Sequence, residues 1–168
     1  PDYFKDLVEV IRLSGMEDVF EDEQITFFAP TDWSIRGSFN YLNRIWYRMG
    51  HDSIKSFSQI KPEVWREMLS MYIVKDKYLL KDIPQIDTTA IAAYPGQAFL
   101  SYGQQPMNMG VVYYDANNMK NAYVATSDIQ PTNGVVHVLR LTDHAFGFEP
   151  YLFATKAINA TIETEPDN

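Results

Sequence analysis

The hydrophobic pattern near the N-terminus has a helical period. Apolar residues recur at three- and four-residue spacing at Phe4, Leu7, Val8 and Ile11. This stripe predicts a helix that ends near Gly15, since glycine tolerates the left-handed conformation of a helix C-terminus. The run Ile25–Ala29 is apolar apart from Thr26 and precedes Pro30, which predicts a strand buried on both faces. Thr31 and Asp32 then offer side-chain oxygens that we expect to cap a following helix.

Two more helices are predicted in the middle of the chain. Between residues 39 and 49 one helix face carries the apolar residues Leu42, Ile45, Trp46 and Met49. Another helix begins near Pro62, because proline is tolerated in a first helical turn. Its apolar stripe consists of Val64, Trp65, Met68, Leu69 and Tyr72.

From about residue 78 the pattern changes to short apolar runs separated by turn residues such as Pro95-Gly96 and Asn117-Asn118. The segments 111–114 and 122–125 predict a hairpin, and 135–141 predicts a central strand. Helices followed by strands are typical of the α+β class, in which the two kinds of element are segregated along the chain.

Length and composition restrict the classes of function. The 168 residues are enough for one domain, and the net charge of −8 disfavours binding to nucleic acid. There is no cysteine, which excludes disulfides and thiolate chemistry. Apolar runs are shorter than the roughly 18 residues of a membrane helix, so we expect no direct membrane insertion. Because the chain begins at Pro1, we expect it to be part of a longer product whose upstream sequence carries any export signal or lipid anchor.

Two segments resemble the motifs of one known family. The run 25–32 (ITFFAPTD) is similar to the first homology segment of fasciclin (FAS1) domains. Ser127-Asp128-Ile129 followed by 133–139 (NGVVHVL) resembles the second segment, and 71–74 (MYIV) lies where the family commonly has Tyr-His-Val-Val. The likeness extends over about residues 3–142, with the motifs in the family's order.

The resemblance implies a FAS1-like β-wedge of two packed sheets with several helices at the side. We expect one domain over residues 1–145 and a C-terminal extension over 146–168. The resemblance also implies an adhesion or interaction module of a secreted or surface protein, although fold alone does not determine function.

The residues of the family motifs can be interpreted as structural, and we favour this over a role in ligand binding. They are Thr31, Asp32, Tyr72, Asp128, Asn133, Gly134 and His137. Asp32 is interpreted as a helix cap, Asn133-Gly134 as a turn with positive φ, and His137 as a packed, hydrogen-bonded side chain. The alternative of a metal at His137 lacks a second ligand nearby in sequence.

Tyr72 is also a candidate contact residue. The family's Tyr-His segment is linked to integrin binding in vertebrate matrix proteins, but here Ile73 replaces the histidine. Tyr72 continues the apolar stripe of the Pro62 helix, so we predict that it belongs to the core.

The candidate binding surface is an aromatic and arginine-rich segment over residues 39–57. Its candidate residues are Tyr41, Arg44, Trp46, Tyr47 and Arg48. This composition is typical of binding hot spots, although the same aromatics could fill the core. A second aromatic stretch has the same two interpretations and comprises Phe146, Phe148, Tyr151 and Phe153.

The sequence therefore predicts a non-catalytic adhesion or interaction module, extracellular or at the cell surface, that binds a protein or a glycan. The alternative is a carbohydrate-binding accessory domain of a bacterial surface polysaccharide-processing system. No nucleophile elbow, zinc motif, Walker loop or dinucleotide fingerprint occurs, so we expect no catalytic residues, metal or cofactor. An enzyme would require Asp128, His144 or His51 to share a cleft. The partner's identity and the oligomeric state stay open.

Overall fold

The described part of the chain is a computed structural model covering residues 3–82, 89–92, 99–105, 108–115, 118–141 and 147–163. Side chains are described for 3–82, 122–141 and 147–163. Several residues named above lie outside these ranges: Pro95-Gly96, Asn117, His144 and Phe146.

Within these ranges the chain forms five α-helices and seven strands. The helices are α1 (Lys5–Leu13), α2 (Glu17–Asp22), α3 (Asp32–Arg48), α4 (Pro62–Ser70) and α5 (Pro150–Asn159). The strands are β1 (Ile25–Ala29), β2 (Ile73–Lys75), β3 (Thr89–Ala92), β4 (Phe99–Gln105), β5 (Asn108–Asp115), β6 (Asn118–Ile129) and β7 (Gly134–Leu139). Short 3-10 helices cover Phe57–Gln59 and Leu80–Asp82.

Strand β6 belongs to two four-stranded groups. The strand order is β2-β1-β7-β6-β5-β4-β3, with β1 parallel to β7 and the other neighbours antiparallel. The first half of β6 pairs with β5 up to Tyr123, and the second half pairs with β7 from Val124 to Ile129. Strand β7 lies between β1 and β6, so the predicted central strand is confirmed, as are the α+β class and the predicted hairpin.

The core lies between the helices and the β1 end of the strand order. All five residues of β1 are buried, the polar Thr26 among them, as predicted for a strand buried on both faces. Helices α1, α3 and α4 bury one stripe each, including Val10, Ile35 and Trp65. Burying a large apolar side chain stabilises a fold by roughly 1.5–3 kcal/mol, so these stripes hold the helices in place.

The segment set apart above as a C-terminal extension contributes to the same core. Phe148 and Phe153 are buried against Trp65, with ring centroids 6.2 and 5.2 Å from the indole. The Ser38 hydroxyl donates to the Phe148 carbonyl, which connects α3 to the start of α5. Tyr151, by contrast, is 70% exposed. The described residues 147–163 therefore pack against Trp65 and α3.

Helix α3 presents one face to solvent along its 17 residues. Its buried side chains are Ser34, Ile35, Ser38, Phe39 and Leu42. The helix starts seven residues before the apolar stripe at 39–49, directly after Thr31. None of the described helices has the length and hydropathy required to cross a membrane.

Candidate functional site

An open groove of about 710 Å³ runs along the solvent face of α3. The described residues that line it are Gly37, Asn40, Asn43, Arg44, Tyr47, Arg48 and Ser53. The helical members recur at three- and four-residue spacing opposite the buried stripe, so one face of one helix supplies most of the site. We call this feature the α3 groove.

Two arginines give the α3 groove its charge. Arg44 and Arg48 are exposed and one helical turn apart, and neither forms an ion pair with another residue in the described part of the chain. The Arg44 guanidinium carbon lies 5.8 Å from the centroid of the Tyr41 ring, a cation–π contact that orients the side chain. On a chain of net charge −8, these arginines form a local positive site.

Tyr47 supplies an aromatic face to the groove, whereas Trp46 does not. The Tyr47 side chain is 67% exposed. Trp46 is half-buried against the core, and His51 stacks on its ring with centroids 3.7 Å apart. Of the five candidate binding residues, Arg44, Tyr47 and Arg48 line the groove, Tyr41 supports Arg44, and Trp46 packs the end of the helix.

The other wall of the groove is held by a side chain that the sequence did not single out. Asn43 donates from Nδ2 to the Ile54 carbonyl at 2.9 Å and accepts from the Ile54 amide at 2.8 Å. This pair fixes the loop that carries Ser53. The chain enters that loop through Gly50, whose φ of +93° favours glycine.

Residues Gly37, Asn40, Asn43 and Ser53 were missed as site residues. The signal available for the first three was the polar face of α3, opposite Ile35, Phe39 and Leu42. Ser53 had no such signal, because its position depends on the Asn43–Ile54 hydrogen bonds.

Among the motif residues, Asp32 caps a different helix from the one expected. Its two carboxylate oxygens accept from the amides of Asp6 at 3.0 Å and Leu7 at 2.9 Å, in the first turn of α1. Thr31 occupies the N-cap position of α3 without a side-chain capping bond, and its hydroxyl has no partner among the described atoms. The prediction that these residues cap the helix that follows them was therefore wrong. Asp32 is instead drawn to the free amides of α1, which packs beside α3.

Asp128 and His137 connect the 78–80 segment to the end of β6. The His137 ring is buried; its Nε2 donates to the Tyr78 carbonyl at 2.7 Å and its Nδ1 accepts from the Asp128 amide at 3.3 Å. Asp128 has a φ of +61°, and its carboxylate accepts from the Leu80 amide at 2.7 Å. Burial lowers the pKa of His137 from 6.5, more than its bond to Tyr78 and the charge of Asp128 raise it. These contacts require a neutral imidazole.

Asn133 and Gly134 serve two separate contacts, and neither has the positive φ expected of them. Asn133 Nδ2 donates to the carbonyls of Phe20 at 2.9 Å and Glu23 at 2.8 Å, at the C-terminal end of α2. Gly134 pairs with Ile25 in the parallel β1–β7 ladder, where a Cβ would lie 2.8 Å from the Ile25 carbonyl oxygen. The close approach of two backbones explains this glycine.

Tyr72 is fully buried at the junction of α4 and β2. Its hydroxyl accepts from the Phe148 amide at 2.8 Å, and its ring stacks on that of Phe148 with centroids 5.8 Å apart. Burial raises the pKa of the phenol far above its ordinary value, more than the bond from Phe148 lowers it. In this fold the ring is inaccessible to a partner.

The described groups that an enzyme would need have other contacts in this fold. No group of three His, Asp or Glu side chains within the described ranges has the arrangement of a metal site. Of the groups that an enzyme would need, His51 stacks on Trp46, and the Asp128 carboxylate binds the Leu80 amide.

A solved structure and a family model are similar to this chain. A FAS1 domain pair from the insect cell adhesion molecule Fasciclin I matches with a TM-score of 0.57 and 22% sequence identity, over 88% of this chain and 46% of that chain. The chain thus spans less than half the length of that structure, and the likeness concerns the fold. No curated protein matches the sequence significantly. The family model of the fasciclin domain matches residues 2–140, and the chain belongs to the fasciclin domain family.

Proposed function

We propose that this domain is a non-catalytic interaction module of an extracellular or cell-surface protein, and that it binds a protein or glycan partner through the α3 groove. Fasciclin domains are known as adhesion modules and occur in extracellular or cell-surface proteins. The observation that carries the proposal is the joint exposure of Arg44, Tyr47 and Arg48 on one rigid helix face.

The chemistry of these three side chains supports a binding role. Tyrosine and arginine are enriched in hot spots, where loss of one anchor costs about 2 kcal/mol or more. Unpaired arginines also attract an acidic partner and orient it on approach. Tyr72, the family position linked to integrin binding, is buried and therefore offers no contact surface.

Side-chain hydrogen bonds connect the residues of α3 to neighbouring segments and hold the groove in place. Ser38 connects α3 to Phe148, and Arg36 binds Asp6 through two hydrogen bonds of 3.1 and 2.7 Å. Asn43 holds the opposite wall. A site on a fixed helix loses little conformational entropy when a ligand binds, which favours affinity.

A carbohydrate-binding accessory domain of a bacterial surface polysaccharide-processing system is the second candidate. It is favoured by the presence of the Asn40 carboxamide and the exposed Tyr47 ring in the same groove, because sugars present hydroxyl groups at their edges and C–H groups on their faces. Both candidates use the α3 groove.

The decisive experiment compares groove variants with matched controls elsewhere on the surface. Parent, Tyr47→Ala and Arg48→Ala proteins are applied to arrays of immobilised matrix proteins and of polysaccharides. Tyr151→Ala is the control for Tyr47, since the two rings are 70% and 67% exposed. Arg12→Ala is the control for Arg48, since both arginines lie in the last turn of a helix.

We expect the groove variants to lose at least about tenfold in affinity for whatever the parent binds, which corresponds to about 1.4 kcal/mol. The two controls retain parental binding. If the parent and both groove variants bound equally well, the proposal would be rejected.

The proposed lack of catalysis is tested separately. Purified domain is incubated with a broad panel of hydrolase substrates beside a heat-treated sample. We expect equal rates in both. Turnover that disappears on heating would contradict a purely binding role.

A further inference from the structure

The lining of the α3 groove combines four kinds of chemistry in a small volume. Arg44 and Arg48 provide cationic, planar donors, and Tyr47 provides an aromatic face. Asn40 and Ser53 are exposed and provide an amide and a hydroxyl. Asn43 is already engaged with Ile54 and shapes the wall. A ligand that fits this lining carries an anion, an apolar face and several hydroxyl groups.

We propose, building on the function proposed above, that the α3 groove binds a uronic-acid-containing polysaccharide segment. The sugar carboxylate binds between Arg44 and Arg48, and the C–H face of the ring lies on Tyr47. The amide of Asn40 and the hydroxyl of Ser53 bond with sugar hydroxyl groups.

The size of the groove and the types of residue that line it favour a sugar over an acidic protein. Its volume of about 710 Å³ is within the range of roughly 300–1,000 Å³ that is usual for small-ligand sites. A stable protein interface buries about 800 Å² per partner around an apolar centre. In the described lining of the α3 groove, Tyr47 is the sole large side chain with an apolar face.

The spacing of the arginines favours a carboxylate. Residues four apart on a helix have Cβ atoms about 5–6 Å from each other, so both guanidinium groups reach one anion. The guanidinium fork matches the planar carboxylate through paired hydrogen bonds. The cation–π contact with Tyr41 restricts Arg44 in advance of binding.

The test is titration calorimetry of the whole chain with three carboxylated oligosaccharides: oligogalacturonate, alginate oligomers and hyaluronan oligomers. The methyl ester of each oligomer retains the sugar and removes the charge. Poly-glutamate represents an acidic protein, and dextran sulfate represents a sulfated glycan.

We expect at least one carboxylated oligomer to bind, with its methyl ester at least about tenfold weaker because the charge-assisted bonds are lost. Arg44→Gln, Arg48→Gln and Tyr47→Ala lose a similar factor, whereas Tyr151→Ala and Arg12→Ala bind like the parent. Affinity falls as salt rises, because exposed charges are screened.

Other outcomes overturn the inference. Poly-glutamate binding as tightly as the oligomers indicates an acidic protein, and tighter binding of dextran sulfate indicates a sulfated ligand. Absence of binding by all three oligomers also rejects it. In each case the binding role proposed for the groove is tested separately by the array experiment, through the variants Tyr47→Ala and Arg48→Ala.

Discussion

Gly147 lies so close to the ring of Tyr72 that a Cβ atom at position 147 would overlap that ring. The glycine also has a φ of +61°, a conformation that other residues adopt at a cost. The next amide, that of Phe148, donates to the Tyr72 hydroxyl at 2.8 Å. Gly147 and Phe148, just before α5, therefore pack directly against the Tyr72 ring that follows α4.

Replacement of Gly147 by alanine is expected to destabilise the domain by about 2–5 kcal/mol, the sum of backbone strain and an overpacked core. Chemical denaturation of the parent and of Gly147→Ala measures the difference. Gly15→Ala is the matched control, because Gly15 has a φ of +70° and a Cβ added there would meet no atom within 4 Å. Equal losses in the two variants would show that Tyr72 does not restrict this position.

Asp32→Ala is expected to lower the free energy of unfolding by about 0.5–2 kcal/mol, because two amides in the first turn of α1 lose their acceptor. Asp32→Asn retains one acceptor oxygen and should lose less. Thermal melts of both variants provide the comparison. If the change at Asp32 left hydrogen exchange in α1 unaltered, the assignment of Asp32 as the cap of α1 would be rejected.

Asn133→Ala is expected to cost about 1–3 kcal/mol, since the carbonyls of Phe20 and Glu23 lose a shared donor. Asn133→Asp has nearly the same shape but brings a carboxylate to two carbonyl oxygens. We therefore expect it to be at least as destabilising as alanine in urea titrations. Parental stability of the aspartate variant would show that Nδ2 is not the stabilising group.

The helices and strands were predictable wherever one face of an element is apolar. Strand β1 is apolar apart from Thr26 and is followed by proline, and the sequence predicted its bounds as observed. The apolar stripe alone did not mark the start of α3, because Ser34 and Ser38 are buried polar residues that interrupt it. The burial of Ser38 is explained by the Phe148 carbonyl just before α5, to which its hydroxyl donates.

Side-chain roles that depend on distant partners could not be predicted. Asp32 is a residue type typical of a local cap, but the amides that it binds belong to α1, earlier in the chain. In the candidate site, the arginines and Tyr47 followed from composition and helical spacing. The burial of one face of Trp46 by His51 depends on the turn at Gly50, which a periodicity argument does not include.

The buried imidazole of His137 predicts a pH dependence of stability. Burial lowers its pKa in the folded state below the value of 6.5 expected in the unfolded chain. The unfolded state therefore binds the proton first as pH falls, so this contribution is complete above pH 6.5 and is lost progressively as pH falls through the folded-state pKa. The opposing charge of Asp128 reduces this effect.

The measurement is the free energy of unfolding by urea between about pH 8 and about pH 5 for the parent and His137→Gln. We expect the variant to be less stable by about 1–3 kcal/mol at the higher pH, because the Tyr78 carbonyl or the Asp128 amide loses its partner. We also expect its stability to fall less steeply with acid, since glutamine does not titrate. All other titratable groups are common to both proteins, so the difference between the two slopes reports on His137. Parallel slopes would mean that His137 is not held neutral by burial, and nitrogen NMR showing the Nδ1–H tautomer would contradict the bond from Nε2 to Tyr78.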